Sequence, residues 1–319
     1  MRRLGWRVVI EIRPCLDRRA SRAMGAEVRI KEGDQEKGRR TGMDNNGYYQ
    51  DKISIVTGAN SGIGYALSEE LLKRGSTVYL AGRDQKKVAE AAGHLSAFRD
   101  HVRTLIVDVT KQDQVQKAIE RTASDAGRLD MLFNNAGIFK PMLFETGTLD
   151  DWKTMIDTNL WSVIYGVQAA VPIMLRQGSG HIVNTASLAG LVPYPMQVIY
   201  DTTKYAVVGL SESLRYEYAE KGIRVSVICP GDIATPVFSK IVDSKGQGAA
   251  IPPDAYPVDK AASYILDRVA EGDGRIIVPY EPNHLIYGGY ILGDKKVEEF
   301  LLNHAHDHRI RFETEGRFI

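Results

Sequence analysis

Apolar and polar residues follow two different periods from about residue 51 onward. Short apolar runs are typical of buried strands, at residues 52–56, 77–81, 104–109, 131–137, 181–186 and 223–229. Longer segments between them place apolar residues at helical spacing, notably at residues 65–75, 112–126 and 150–176. Strands that alternate with helices predict a parallel sheet with helices on both faces, whose ligands lie at the carboxyl ends of the strands. We therefore expect a doubly wound α/β fold.

The first predicted strand runs into a glycine-rich turn, T-G-A-N-S-G-I-G at residues 57–64. Glycines let a backbone approach phosphates, and the free N–H groups and dipole of the following helix attract negative charge. The spacing is G-x-x-x-G-x-G rather than the commoner G-x-G-x-x-G. Its place directly after the first strand favours a dinucleotide pyrophosphate site over a purely structural turn.

The end of the second predicted strand bears on which dinucleotide is bound. An acid there would accept hydrogen bonds from the adenosine ribose and repel a 2′-phosphate. This chain has Gly82 at that position and Arg83 next, and a guanidinium can bind a 2′-phosphate, with a further hydrogen bond from Ser61. NADP is therefore predicted in preference to NAD. Asp84 argues for NAD, and an exposed loop cation is the alternative interpretation of Arg83.

Residues that carry chemistry stand at the ends of several predicted strands. Gly58 follows the first, Asp108 closes the third near a possible adenine site, and Asn134 and Ser187 close the fourth and fifth. In a parallel sheet these ends share one edge. A common ligand site explains that placement better than four separate structural roles.

The candidate catalytic pair is Tyr200 and Lys204, one helical turn apart on the same face. A free phenol has a pKa of about 10, and a neighbouring ammonium favours the phenolate. Lowering that pKa to about 7 takes roughly 4 kcal/mol, at about 1.36 kcal/mol per unit. Ser187 could hold a substrate oxygen beside the pair. Taken alone, this spacing is also common on solvated helix faces, so the interpretation depends on the motifs around it.

The long helical segment at residues 150–176 carries two irregular residues. Asn159 is mildly unfavourable inside a helix and needs hydrogen-bond partners if it is buried. A structural role, in which it ties the fourth strand's turn to the helix, is the alternative to a functional one. Pro172 predicts a kink or a late restart of the helix.

Taken together, these motifs resemble those of the short-chain dehydrogenase/reductase family over residues 51–279. The matching motifs, in order, are T-G-A-N-S-G-I-G, Asp108-Val109, N-N-A-G at 134–137, Asn159, Ser187, Y-x-x-x-K at 200–204, and P-G with Thr235. The resemblance implies one domain with a seven-stranded parallel sheet. It also implies an oxidoreductase that interconverts a secondary alcohol and a ketone with NADP(H), acting on CH–OH groups.

The resemblance implies a role for each matching residue. Tyr200 would be the general acid/base, and Lys204 would lower its pKa and bind the nicotinamide ribose. Ser187 would hold the substrate oxygen, and Asn159 would support a water in the proton relay. Asp201 departs from the small residues usual between the tyrosine and the lysine, and would modestly raise the tyrosine's pKa. Cofactor contacts are expected from Gly58, Asn60, Ser61, Gly62, Ile63, Gly64, Arg83, Asp108, Val109, Asn135, Ala136, Gly137, Tyr200, Lys204, Pro230, Gly231, Ile233 and Thr235.

Composition narrows the class of protein. The 319 residues are 44% apolar and 25% charged, as in ordinary globular proteins. A net charge of +1 favours neither nucleic acid nor a membrane surface. Cys15 and Cys229 cannot form a disulfide framework, which is typical of a reducing compartment. No run of about eighteen apolar residues predicts a membrane span, so we expect a cytoplasmic protein.

The first fifty residues differ from the rest. Residues 1–43 hold 12 Lys and Arg against 6 Asp and Glu, with little periodicity. We expect residues 1–50 to be a disordered extension, or a leader upstream of a start at Met43, with an organelle transit peptide as the alternative. The catalytic domain is expected at residues 51–280, with a lid at 237–256, and a C-terminal tail at 281–319.

The remaining expectations concern the substrate and partners. Segments 139–145, 188–197 and 237–256 should contact the substrate, and their apolar residues suggest a moderately hydrophobic ketone or alcohol: Leu188, Leu191, Tyr194, Met196, Val237 and Phe238. No metal is expected. His304 and His308 would share a helix face, as a ligand pair would, but solvated histidines in a polar tail are the favoured interpretation. A short helix is expected at 297–302, where it would cover the active-site mouth or a neighbouring subunit. A homotetramer or homodimer through helices 150–176 and 199–220 is implied by the resemblance. A cofactor-binding protein without turnover is the alternative to an enzyme.

Overall fold

A computed structural model of the protein describes residues 45–241 and 248–316. Its sheet has seven parallel strands in the spatial order β3-β2-β1-β4-β5-β6-β7. The strands are β1 Ile53–Thr57, β2 Thr77–Gly82, β3 Val102–Ile106, β4 Met131–Asn134, β5 Gly180–Thr185, β6 Ile223–Pro230 and β7 Arg275–Val278. The predicted doubly wound fold is confirmed. The chain order reverses between β1 and β4, and a crevice opens at such a point.

Helices follow the strands on both faces. They are α1 Gly62–Lys73, α2 Gln85–His94, α3 Gln112–Ala126, α4 Leu149–Ile156, α5 Ser162–Gln177, α6 Val198–Glu217, α7 Val258–Glu271, α8 Asn283–Ile291 and α9 Lys295–Glu315. Helix α3 has the predicted bounds. Strand β3 ends three residues before the predicted end, because Asp108 turns its carboxylate onto Thr110 instead of continuing the ladder.

The sheet is buried on both faces. Ile55 packs toward α3, α5 and α6, whereas the next residue, Val56, packs toward α1 and α7. Successive side chains of a strand point to opposite faces, so a strand covered on both sides must be apolar at nearly every position. This explains why the predicted strands are continuous apolar runs.

Helices α4 and α5 form one run, joined by a π-helical turn at Asp157–Trp161. The late restart predicted at Pro172 is wrong, since Pro172 lies inside α5. The alternative, a kink at Pro172, stays a prediction. The carbonyl that it leaves unpaired belongs to Gln168, an exposed residue that water can reach. The run Leu149–Gln177 is apolar enough to cross a membrane by composition, but half of its apolar window is buried in the protein, as in a core helix.

The described fold begins earlier than residue 51 and continues beyond residue 280. Tyr49 is fully buried, and its hydroxyl donates to the Leu266 carbonyl. Residues 1–44 of the expected extension, and 242–247 of the expected lid, lie outside the described residues. The expected tail forms α8 and α9, so the short helix expected at 297–302 is part of a helix of 21 residues.

Candidate active site

The carboxyl ends of the strands open into one cleft of about 1330 Å³. Most residues that the sequence nominates for the site line it: Gly58, Asn60, Ser61, Gly62, Ile63, Arg83, Asp108, Val109, Asn135, Ala136, Gly137, Ser187, Tyr200, Lys204, Pro230, Gly231, Ile233 and Thr235. Gly64, Asn134 and Asn159 lie behind its wall. The Asn134 side-chain amide donates to the Asn184 Oδ1 at 2.9 Å, so the expectation that Asn134 belongs to the shared ligand site is wrong. The strand-end rule therefore brings distant segments to one place.

The glycine-rich turn folds back tightly on itself. Gly58 has a φ of +67°, and a Cβ there would lie 3.0 Å from the Ala136 Cα. A Cβ on Gly64 would lie 2.5 Å from both the Gly58 carbonyl and the Asn135 side-chain amide. Helix α1 starts at once, and its first N–H groups have no partner within the helix. The turn therefore offers bare backbone to the cleft, while Gly64 is needed for packing beneath it.

Thr57, which sequence reasoning did not nominate, locks this turn to the one after β4. Its hydroxyl oxygen accepts hydrogen bonds from the backbone N–H of Asn135 (2.9 Å) and Ala136 (3.0 Å). The Asn135 side-chain amide donates to the Thr57 carbonyl at 3.0 Å. The threonine at the start of T-G-A-N was the available signal, because a strand-end hydroxyl can satisfy turn donors.

Two cations face the far end of the cleft, beyond β2. Arg83 lines it, as does Lys87, which the sequence analysis missed. Asp84 caps α2, where its carboxylate accepts from the Lys87 backbone N–H at 3.1 Å. The Asp84 carboxylate, which argued for NAD, is therefore engaged in the helix cap. Asp84 also lines the cleft, and its carboxylate lies 4.0 Å from the Lys87 ammonium.

Asp108 is an ionised acid at the same end. Burial raises the pKa of its carboxyl, but hydrogen bonds from the backbone and hydroxyl of Thr110 and the charges of Lys111 and Arg83 outweigh it, so the net shift is downward. The Thr110 contacts are 3.0 Å and 2.8 Å long. Asp108 thus faces the cleft as a fixed acceptor.

Tyr200, Ser187 and Lys204 meet at the centre of the cleft. The Ser187 hydroxyl donates to the Pro230 carbonyl at 3.4 Å and accepts from the Ala189 N–H at 3.1 Å, and it lies near enough to the Tyr200 phenol to lower that phenol's pKa. The phenol ring packs edge-on against Phe139 with centroids 4.8 Å apart. The Lys204 Nζ lies 5.5 Å from the phenol ring centroid and donates to the Thr185 carbonyl at 3.0 Å. Lys204 is only 3% exposed, so its side chain is held in place.

The pKa values of this pair differ from the sequence expectation. Burial raises the pKa of Tyr200 to about 12, against the lowering effect of the Ser187 hydrogen bond and with a further increase from Asp201. Burial also lowers the pKa of Lys204 to about 8. The net shift of the Tyr200 pKa is therefore opposite to the predicted direction, because desolvation dominates. A lowering of that pKa by Lys204, whose ammonium donates to the Thr185 carbonyl, stays a prediction. The predicted increase from Asp201 is confirmed, and Tyr200 is a neutral proton donor at physiological pH.

Asn159 lies in the π-helical turn and binds the chain that follows β4. Its Oδ1 accepts from the Ile138 N–H at 2.8 Å, and its Nδ2 donates to the Ile138 carbonyl at 2.9 Å and the Thr203 hydroxyl at 3.3 Å. These contacts fit the structural alternative. Support of a relay water by Asn159 stays a prediction.

Asp201 joins the catalytic helix to the loop that precedes it. Its Oδ2 accepts from the Tyr194 N–H at 2.8 Å, whereas its buried Oδ1 has no hydrogen-bond partner among the described residues. Burial raises the pKa of Asp201 to about 7, partly offset by the Tyr194 hydrogen bond. The residue that departs from the family pattern is thus a buried acid beside the phenol.

The substrate side of the cleft differs partly from expectation. Leu188, Tyr194, Val237 and Phe238 line it as expected. Leu191 and Met196 do not, because both are turned into the protein interior, with 4% and 9% of their surfaces exposed.

Helix α9 supplies a wall that the sequence analysis did not foresee. Phe300, His304, His308 and Arg311 line the cleft. His304 is half-buried and meets the Tyr194 ring edge-on, with centroids 6.1 Å apart. The expectation of a solvated histidine is therefore wrong for His304. The signal was the recurrence of these residues at three- and four-residue steps along one helix face.

Comparisons with known proteins match the part of the chain that builds this cleft. The profile of a family described as short chain dehydrogenase matches residues 52–246. An uncharacterized oxidoreductase of Staphylococcus saprophyticus is 36% identical over 220 residues, which cover 69% of this chain and 92% of the relative. The profile match ends before α8 and α9.

Solved structures agree with that match. A short chain dehydrogenase/reductase from Burkholderia phymatum in complex with NAD aligns with a TM-score of 0.68 and 27% identity, over 77% of this chain and 96% of its own. ElxO with NADP bound aligns with a TM-score of 0.63 and 27% identity, over 72% of this chain and 96% of its own. Relatives of this fold therefore include both NAD and NADP binders.

Proposed function

Because the chain belongs to the short-chain dehydrogenase family, we propose that it is an NADP(H)-dependent oxidoreductase that interconverts a ketone and a secondary alcohol. The observation that carries the proposal is the meeting of the Tyr200 phenol, the Ser187 hydroxyl and the Lys204 ammonium in one cleft with a glycine-rich phosphate turn. These are the groups that carbonyl reduction needs around the reacting oxygen.

The cleft suits a dinucleotide cofactor. Gly58 and Gly62 line the cleft with backbone alone, and a pyrophosphate bound there would be attracted by the start of α1. Asp108 offers an acceptor toward the adenine end, and Lys204 a donor toward the ribose at the other. When bound, the nicotinamide supplies the hydride.

The protein supplies the proton and stabilises the negative charge that develops on the reacting oxygen. In reduction, the neutral Tyr200 phenol donates its proton to the carbonyl oxygen as that oxygen becomes an alkoxide, and the Ser187 hydroxyl donates a hydrogen bond to the same oxygen. The Lys204 ammonium stabilises the phenolate that remains, and Asn159 would support the water that returns a proton to it. In oxidation, the phenolate accepts the alcohol's proton. The two groups that donate to the reacting oxygen, the Tyr200 phenol and the Ser187 hydroxyl, are thus held in place by the surrounding protein.

The preference for NADP is supported by the charges near β2. Gly82 stands where an acid would repel a 2′-phosphate, Arg83 and Lys87 line the cleft beside it, and Asp84 is held in the α2 cap. Ser61 also lines the cleft, and its side chain makes no cap hydrogen bond to α1. Two cations and a hydroxyl suit a phosphate better than a ribose hydroxyl.

The substrate and the assembly follow from the same surfaces. Leu188, Val237 and Phe238 suit a moderately apolar carbonyl compound. Exposed apolar side chains on the α4–α5 run and α6, among them Trp161 (44% exposed) and Tyr216 (78% exposed), suit a homodimer or homotetramer. Light scattering on the purified chain distinguishes these from a monomer. A cytoplasmic location remains an expectation from the sequence.

The proposal is tested with purified protein, NADPH and a panel of ketones, followed by the loss of NADPH absorbance. We expect turnover that the Tyr200→Phe variant loses by about a hundredfold or more, since the proton donor is removed while the packing is kept. Tight NADPH binding without turnover on any ketone, or on any alcohol with NADP, would support the non-enzymatic alternative instead.

A further inference from the structure

The wall that α9 contributes has a definite chemical character. Along one face it presents an aromatic ring, two imidazoles and a guanidinium: Phe300, His304, His308 and Arg311. The ring centroids of Phe300 and His304 are 5.9 Å apart and stacked, and those of His304 and His308 are 4.0 Å apart. The stripe thus runs from apolar to basic along the helix.

Helix α9 is docked on the catalytic unit by several contacts. His304 packs on Tyr194, whose backbone N–H is held by Asp201 on the catalytic helix. Leu301 packs against the core cluster. Arg309, on another face, forms an ion pair with Glu145 at 3.4 Å. The basic stripe therefore keeps a set position opposite the loop that carries Tyr194.

Acids lie on both sides of the stripe. Asp307 and Glu315 are each one turn from Arg311 on α9, and neither lines the cleft. Asp232 and Asp254 line the cleft on other segments. Burial of Asp232 and repulsion from Asp254 raise the pKa of the Asp232 carboxyl, which makes it a weak counter-ion. The guanidinium of Arg311 stays charged at any physiological pH.

We propose that α9 selects substrates that carry an anionic group, a carboxylate in the simplest case, joined to the reacting carbonyl by an apolar segment. The apolar segment lies against Phe300, Val237 and Phe238, and Arg311 binds the anion together with His308. A guanidinium pairs well with a carboxylate because it donates two parallel hydrogen bonds. This inference rests on the proposed ketone reductase activity and names its substrate class.

The test is a series of oxo acids in which the number of methylenes between ketone and carboxylate varies, each paired with its methyl ester. We expect one chain length at which the acid has a kcat/KM at least about tenfold above its ester, as for a charge-assisted hydrogen bond. Arg311→Gln should remove that preference by raising KM for the acid to about that for its ester. Arg311→Lys should restore part of it. The matched control is Lys296→Gln, which removes a cation of α9 at an exposed residue outside the cleft and should keep the preference.

The outcomes separate the two proposals. Reduction of acids and esters with equal kcat/KM, or a preference for acids that survives Arg311→Gln, overturns the inference and leaves the reductase proposal standing. Failure to reduce any ketone, acid or ester, overturns the reductase proposal and the inference with it.

Discussion

Arg83 gives the sharpest prediction about the cofactor. In an Arg83→Gln variant the side chain keeps much of its length and its ability to donate hydrogen bonds, but loses its charge. Arg83 lines the cleft directly after Gly82, so its charge should act chiefly on the 2′-phosphate. Its effect on Asp108 bears on NADPH and NADH alike and leaves their ratio unchanged. The variant should therefore bind NADPH more weakly and bind NADH much as wild type does.

The expected size follows from the exposure of Arg83. A hydrogen bond to a charged group contributes about 1.5–3 kcal/mol, which corresponds to a rise of about 10- to 150-fold in KM for NADPH. Because Arg83 is exposed, salt should screen the interaction, with a Debye length of about 10 Å at 0.1 M. Lys87 remains in the variant, so the rise in KM for NADPH should lie near the lower end of that range.

The assay is the initial rate of reduction of one ketone at varied NADPH and NADH, at low and at high ionic strength. Lys86→Gln is the matched control, because it removes a neighbouring cation that does not line the cleft. An unchanged ratio of KM for NADPH to KM for NADH in Arg83→Gln would refute the reasoning. So would wild-type protein that prefers NADH.

Three further predictions concern buried groups. The pKa of Asp201 is raised from 3.8 to about 7, so the native state binds more protons than the unfolded state between those values; stability is lost as pH rises through that window. The free energy of unfolding of Asp201→Asn, measured by denaturant titration, should therefore rise by up to about 4 kcal/mol relative to that of wild type between pH 4 and pH 7. A constant difference between the two proteins over that pH range would contradict this. Gly64→Ala should destabilise the turn and abolish cofactor binding, because its Cβ would lie 2.5 Å from the Gly58 carbonyl. The control is Gly209→Ala, because a Cβ at Gly209 would meet nothing within 4 Å, and this variant should stabilise α6 by about 0.5–1 kcal/mol. Similar changes in melting temperature for Gly64→Ala and Gly209→Ala would contradict the packing argument. The rate of reduction should fall as pH rises through about 8, where Lys204 loses its charge. A folded Lys204→Arg variant should not show this fall in rate, since an arginine stays protonated. A variant with the same pH–rate profile as wild type would mean that another group causes the fall.

The features predicted best from sequence are those set by local spacing. A strand followed by a glycine-rich turn and a helix fixes its own geometry within a dozen residues. The parallel-sheet rule then places Gly58, Asp108 and Ser187 at one edge although they are far apart in the chain. Six of the seven strands and most of the cleft follow from these two principles, whereas the seventh strand, β7, was expected only from the family resemblance.

The features missed depend on contacts between distant segments. The stripe on α9 is visible in the sequence, but its partner Tyr194 lies more than a hundred residues earlier and no local pattern connects them. The pKa of Tyr200 depends on burial by several segments, Phe139 among them, so spacing to Lys204 alone gave the wrong direction. The helix does not restart at Pro172 because a helix tolerates a lost hydrogen bond where the freed carbonyl lies at an exposed residue.

Transfer of a labelled hydride tests the central claim most directly. NADPH deuterated at the transferred position of nicotinamide C4 is incubated with a reducible ketone, and the alcohol product is analysed by mass spectrometry. The account predicts one deuterium on the carbinol carbon, formed by wild-type protein and lost with Tyr200→Phe. An alcohol without deuterium, or equal deuterium transfer by the Tyr200→Phe variant, would contradict it.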